Sequence, residues 1–260
     1  MVKLVVGFVS ILTFASSLGV QQVPSTVRSE LAPTGRLRVG INFGNGLLAT
    51  KDAIGAPGGI AVDLAEELAR RIDVPLEIVG YDTAGRMADG AAAGAWDVAF
   101  LGVDPDRAKE IAFTAPYLEI DTTYLVPADS PIRMVADVDR DGVRIAVSEK
   151  SAYDLFLSRT LKRARLVRVP GVSASVELFF SQKLDALAGL KPILVEAAEK
   201  QPGARVLDGR FTVVQQAVGT PAGRGAATKY LREFVDDIKT SGIVAKTIER
   251  NRIRGASVAP

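Results

Sequence analysis

The chain of 260 residues contains no cysteine and no histidine. Without them there is no Ser-His-Asp or Cys-His nucleophile and no zinc site built on those ligands, so most hydrolase and metalloenzyme readings fall away. An enzyme on this sequence would have to work with carboxylates, lysine or tyrosine alone. Strong net charge is also missing. Thirty-two basic residues against 30 acidic ones leave +2, spread along the chain with no basic stripe interleaved with aromatics. That balance gives no general drive toward nucleic acid or a membrane surface. The longest apolar run, Leu4 to Phe14, is too short to span a bilayer, which takes about 20 residues.

With Lys3 before it and Ala15-Ser16-Ser17-Leu18-Gly19 after it, that run reads as a cleavable signal peptide over residues 1–19. In the absence of cysteine there is no lipid-attachment residue, and the expected location is a periplasm. A hydrophobic content of 48% supports sizeable cores over the rest.

Residues 20–35, with Pro24 and Pro33, read as a loose leader. Leu37 to Ile41 is a strand, followed by the glycine-rich loop Asn42-Phe43-Gly44-Asn45-Gly46. Ala61, Leu64, Ala65, Leu68 and Ile72 recur at the spacing of a core-facing helix stripe. On the wet face Glu66–Arg70 and Glu67–Arg71 are expected i,i+4 pairs. Strands follow at Leu76–Val79 and Val98–Leu101, with a helix over 86–93 between them, and Leu118 to Val126 is extended. The alternation then restarts: strands at 143–147, 166–169 and 186–188, and helices at 152–160, 175–181 and 192–199. Phe211 to Ala217 is a second extended segment, and helices near 227–241 and 243–250 close the chain. This β-α-β order implies mostly parallel sheets flanked by helices, in two units.

Between the third strand and the first extended segment lies Asp104-Pro105-Asp106-Arg107, a turn entering a short helix with proline presetting its first residue. Such a turn carries a lone arginine to the rim of an open sheet, where α/β folds bind their ligands. Gly59-Ile60-Ala61-Val62-Asp63-Leu64-Ala65, Gly94-Ala95-Trp96-Asp97-Val98, Asp106-Arg107-Ala108-Lys109 and Phe113-Thr114-Ala115-Pro116-Tyr117, in that order, resemble the bacterial extracellular solute-binding proteins of family 3. These are the receptors of polar amino-acid ABC importers. The resemblance implies a two-lobed periplasmic-binding-protein fold of type II joined by two crossover strands. Lobe one would hold residues 36–124 and 218–260, and lobe two residues 125–217, with hinges near 124–128 and 213–219.

The same resemblance makes Arg107 the clamp for a ligand's carboxylate; the bland alternative is an exposed helix arginine. Gly102 and Asp104 flank it. Asp104 could cap the turn, pair with Arg107 or meet a cationic ligand group. Two hydroxyls usual in the family at this turn are missing. In lobe two, Lys150 and Ser151 occupy the loop that supplies the other half of the clamp, with Lys150 where glycine is usual and Ala152 where threonine is. Ser151 is equally an ordinary helix cap. Asn42, Phe43 and Asn45 sit after the first strand; Phe43 either stacks on a ligand or belongs to the core. Tyr153 is a further aromatic candidate, with Tyr81 and Tyr117 behind it. Where amino-acid binders carry a carboxylate for the ammonium, this chain has Gly189-Leu190-Lys191, and a buried ammonium lacking a counter-charge is costly.

The leading expectation is therefore a monomeric periplasmic receptor without catalysis, cofactor, metal or nucleic acid. It would close over a small anionic or zwitterionic solute and deliver it to the membrane permease of an ABC transporter. The alternative is a dehydratase of prephenate-like acids on the same fold, with Glu149 or Asp104 as proton donor.

Overall fold

A computed structural model describes residues 23–260, and the expected signal peptide lies outside the described residues. The expected loose leader is instead a helix, α1 (Ser25–Leu31). Its Val27 and Leu31 are one turn apart and both buried. Its Glu30 carboxylate accepts the backbone N–H of Ala227 at 2.8 Å, capping a helix near the far end of the chain. Pro24 marks the start of a helix here, where proline costs no hydrogen bond.

The first unit runs β1 (Leu37–Asn42), a small hairpin of β2 (Thr50–Lys51) and β3 (Pro57–Gly58), α2 (Ile60–Ile72), β4 (Leu76–Tyr81), α3 (Ala84–Asp89) and β5 (Val98–Gly102). All five residues of the α2 stripe are buried. On its wet face Glu67 takes both Arg70 (2.9 Å) and Arg71 (2.7 Å), so the expected Glu66–Arg70 pair gives way to an i,i+3 partner. The helix expected over 86–93 starts two residues earlier because the Thr83 hydroxyl accepts the N–H of Arg86 at 3.2 Å, and it stops at Gly90.

A short 3-10 turn, Arg107–Lys109, then leads into β6 (Ile111–Pro127), a single strand of 17 residues. It begins well before the expected Leu118. Pro116 is tolerated inside it because the pairing with the next crossover strand slips beside that residue, where no ladder N–H is required.

The second unit runs β7 (Arg144–Ser148), α4 (Ala152–Thr160), β8 (Arg165–Val169), α5 (Val172–Ser181), β9 (Ala186–Leu190), α6 (Lys191–Lys200) and β10 (Ala204–Val206). The chain returns through β11 (Thr212–Pro221) and finishes with α7 (Gly225–Thr240), α8 (Ile243–Arg250) and β12 (Ala256–Val258). The sheet order is β4-β1-β5-β11-β6-β9-β7-β8. β4, β1 and β5 are parallel, as are β9, β7 and β8, while β6 and β11 run antiparallel between the two sets.

The closing elements pack on the first unit. Arg250 and Asn251 reach Asp63 of α2 at 2.5 and 2.7 Å, Asp237 meets Arg71 at 2.7 Å, and β12 pairs with Leu118–Ile120. Asp97 is fully buried and accepts two guanidinium nitrogens of Arg38 and one of Arg224, each at 2.9 Å, and the Arg38 backbone N–H at 3.3 Å. Trp96 donates to the Met87 carbonyl at 2.8 Å. Both belong to the fold rather than to any site.

Candidate functional site

The C-terminal ends of β1, β5, β7 and β9 and the N-termini of α3 and α4 converge on one cavity of about 50 Å³. By the measure that a water needs about 10–15 Å³, it has room for roughly four water-sized groups. It is narrow because the two units approach closely at Gly102. A Cβ on Gly102 would come within 3.0 Å of the Ala152 Cβ from the second unit and 3.1 Å of Val214.

Arg107 lies on this wall, 6% exposed. Its guanidinium donates from Nη1 to the Gly102 carbonyl at 2.7 Å and from Nη2 to the Lys150 carbonyl at 2.8 Å, one oxygen from each unit. Nε has no partner. Among the described residues no carboxylate bonds this buried cation. Burial pushes its pKa down to about 10, with the charges of Asp104 and Asp89 opposing.

Asp104, 2% exposed, is off the cavity wall. Its Oδ1 accepts the N–H of Asp106 at 2.9 Å, the capping role typical of aspartate before proline. Its Oδ2 takes Arg159 of α4 at 2.6 Å. Of its three expected roles, capping is the one made. Its ion-pair partner is Arg159, which the sequence did not suggest.

Lys150 also keeps its side chain off the wall: Nζ pairs with Asp89 of α3 at 2.9 Å. Its backbone sits at φ 53, in the left-handed region where glycine is comfortable. The lysine stem crosses Gly85, where an added Cβ would stand 2.6 Å from that of Lys150. Ser151 lines the cavity, yet its hydroxyl accepts the N–H of Asp154 at 3.1 Å and so caps α4. Tyr153 is also on the wall, and burial pushes its hydroxyl up to about 12. Leu190 closes this side with an apolar surface at the end of β9.

Asn42 and Asn45 reach the wall from the loop after β1, each oxygen accepting a loop N–H, at 3.0 Å from Gly44 and 3.3 Å from Leu47. Phe43 points elsewhere. It packs at 3.3 Å from the site of a Gly80 Cβ and lies under the Lys51 ammonium, 4.7 Å from the ring centre. Its core role holds because adjacent residues leaving a strand face opposite ways. Tyr81 and Tyr117 are off the wall as well, Tyr117 packing edge-on to Phe100 at 5.9 Å.

The sequence reading missed Ser148, Asp82 and Gln216, all of which line the cavity. Gln216 had a legible signal: an amide two residues from Val214 and two from Val218, on the face of an apolar crossover strand. Among the described residues no group of three or more acidic side chains converges as a metal site would require.

The family model for bacterial extracellular solute-binding proteins, family 3, matches residues 37–251. Among solved structures, the chain is similar to a mutant of ArgBP from T. maritima (22% identity, 86% of this chain and 98% of that one, TM-score 0.74). It is also similar to an ancestral amino acid-binding protein described as a precursor of cyclohexadienyl dehydratase (23%, 87% and 99%, TM-score 0.74). A solute receptor for L-cysteine of Neisseria gonorrhoeae matches at 19% identity over 88% of this chain and 94% of that one, with a TM-score of 0.76. These likenesses establish the two-lobed periplasmic-binding-protein fold.

Proposed function

The chain belongs to the bacterial extracellular solute-binding proteins, family 3, and we propose that it is the periplasmic receptor of an ABC importer for a small carboxylate-bearing solute. The observation that carries the reading is Arg107: a buried guanidinium on a cavity wall, held by two carbonyl oxygens, with Nε unpartnered and no carboxylate bonded to it among the described residues. A buried cation in that state is costly, and a ligand carboxylate supplies the missing charge in a strong charge-assisted bond.

Lobe one comprises residues 36–124 and 218–260, and lobe two residues 125–217. The lobes hinge at 124–128 and 213–219, within the two crossover strands. Gly102, Asn42, Asn45, Ser151, Tyr153 and Leu190 complete the ligand wall. The mature protein is a periplasmic monomer, freed by signal-peptide cleavage, that hands its ligand to a membrane permease. The dehydratase alternative loses its proton donors: Glu149 is exposed and off the wall, and Asp104 is occupied by Arg159.

Native mass spectrometry of protein purified without denaturation tests the proposal, followed by a thermal-shift screen of small carboxylates. A one-to-one carboxylate adduct that raises the melting temperature is expected. A panel of small carboxylates none of which raises it would refute the reading.

A further inference from the structure

Four buried side-chain polar atoms lack a partner among the described residues: Arg28 Nε, Arg107 Nε, Tyr117 Oη and Gln216 Oε1. Two of the four belong to residues that line the cavity, and they are opposite in kind: a donor on Arg107 and an acceptor on Gln216. Gln216 is 5% exposed, on β11 directly opposite Gly102, whose carbonyl holds Arg107. The register of β11 against β6 slips between Gln216 and Ala217, and Gln216 to Thr220 are all buried in this central strand. Bulges of this kind re-aim a side chain. With the Arg107 cation on the same small cavity, the carbonyl oxygen is the end of the amide that electrostatics favours pointing inward.

No free carboxylate accompanies that acceptor inside. Among the described residues lining the cavity, Asp82 alone carries one, and it is solvent-exposed. Nearby Asp104, Asp89 and Asp154 are engaged by Arg159, Lys150 and Arg168. A ligand ammonium would enter beside a buried guanidinium with no counter-ion, whereas an uncharged N–H or O–H would satisfy Gln216 at no charge penalty.

We infer that Gln216 is the specificity-determining residue of this cleft. It selects a small carboxylate that carries an uncharged hydrogen-bond donor, an amide N–H or a hydroxyl, in place of a free ammonium. The inference rests on the carboxylate reading of Arg107 and narrows it.

Isothermal titration of glycine, N-formylglycine and glycolate against the full mature chain and its Gln216→Glu and Gln216→Met variants tests it. The wild type should bind N-formylglycine or glycolate at least about tenfold tighter than glycine, and which of the two binds tighter separates the amide from the hydroxyl source. Gln216→Glu supplies the missing charge and should reverse the order in favour of glycine. Gln216→Met should weaken the uncharged-donor ligands without helping glycine, and it decides the matter if the glutamate variant fails to fold. Equal or tighter binding of glycine by the wild type overturns the inference, as does an unchanged order in both folded variants. If the wild type binds only carboxylates that lack any donor, such as acetate, the inference fails while the carboxylate reading stands; if it binds no small carboxylate at all, the carboxylate reading itself fails, which is a separate result.

Discussion

Replacing Arg159 with alanine should loosen the contact between the two units without unfolding either. Arg159 reaches across the cleft from α4 to Asp104, which sits on the turn that presents Arg107. The pair is 2.6 Å long and asymmetric, with the arginine side chain 40% exposed and the carboxylate 2%. At an effective dielectric of about 20, charges about 4 Å apart attract by about 4 kcal/mol. Desolvation of Asp104, and the freedom lost by a half-exposed arginine, remove most of that and leave a net coupling of about 1–2 kcal/mol. Such a loss moves the closed-to-open ratio by a factor of about 5–30. Apparent ligand affinity falls with the closed population. Because the chain has no cysteine, dyes on Ile54→Cys and Lys162→Cys report on lobe separation without background labelling. Arg159→Ala should shift the unliganded distance distribution toward the open state, and adding Asp104→Asn should shift it little further. An unchanged distribution together with unchanged ligand affinity would refute a role for the Arg159–Asp104 pair in holding the two units together.

Three further outcomes follow from local geometry. Lys150→Gly should be more stable than Lys150→Ala by about 1 kcal/mol in urea denaturation, because both lose the Asp89 pair and only glycine is at ease at φ 53. Gly44→Ala places a Cβ 1.7 Å from the Asp82 carbonyl, backbone against side chain, and should cost about 2–4 kcal/mol and weaken ligand binding, read by thermal melting and titration. Hydrogen bonds from Arg70 and then Arg71 hold Glu67 down at about 2 in the fold against an ordinary 4.5, so its stabilisation is complete above the ordinary value and is lost as pH falls toward 2. Glu67→Gln should therefore cost about 1–2 kcal/mol at neutral pH and converge with the wild type in strong acid, as measured by denaturation at both.

Elements set by local pattern were legible in the sequence. The α2 stripe, the limits of α4 and α8 and the turn at Asp104 followed from periodicity and capping chemistry. What escaped depended on distant partners. The α1 helix forms because Glu30 caps α7 and Arg224 holds the Glu30 carbonyl, partners almost 200 residues away. The early start of β6 was hidden by Pro116, harmless only because β11 slips its register there. At the site, residue type pointed to Arg107 but not to what it binds, since both its acceptors are backbone oxygens that any sequence provides. Asp104 was read as a cap, a partner of Arg107 or a ligand contact, and Lys150 as part of the clamp; the ion pairs by which both side chains tie one unit to the other were not foreseen. Gln216 was visible as an amide on an apolar strand, but its missing partner is a fact of packing.

Arg107 is proposed to anchor the ligand's carboxylate. Isothermal titration of a carboxylate that stabilises the wild type, repeated on Arg107→Met shown to be folded by circular dichroism, tests it most directly. A charged hydrogen bond of about 1.5–3 kcal/mol predicts a loss of affinity of about 10- to 150-fold. Equal affinity in the folded variant would mean that Arg107 does not hold the carboxylate.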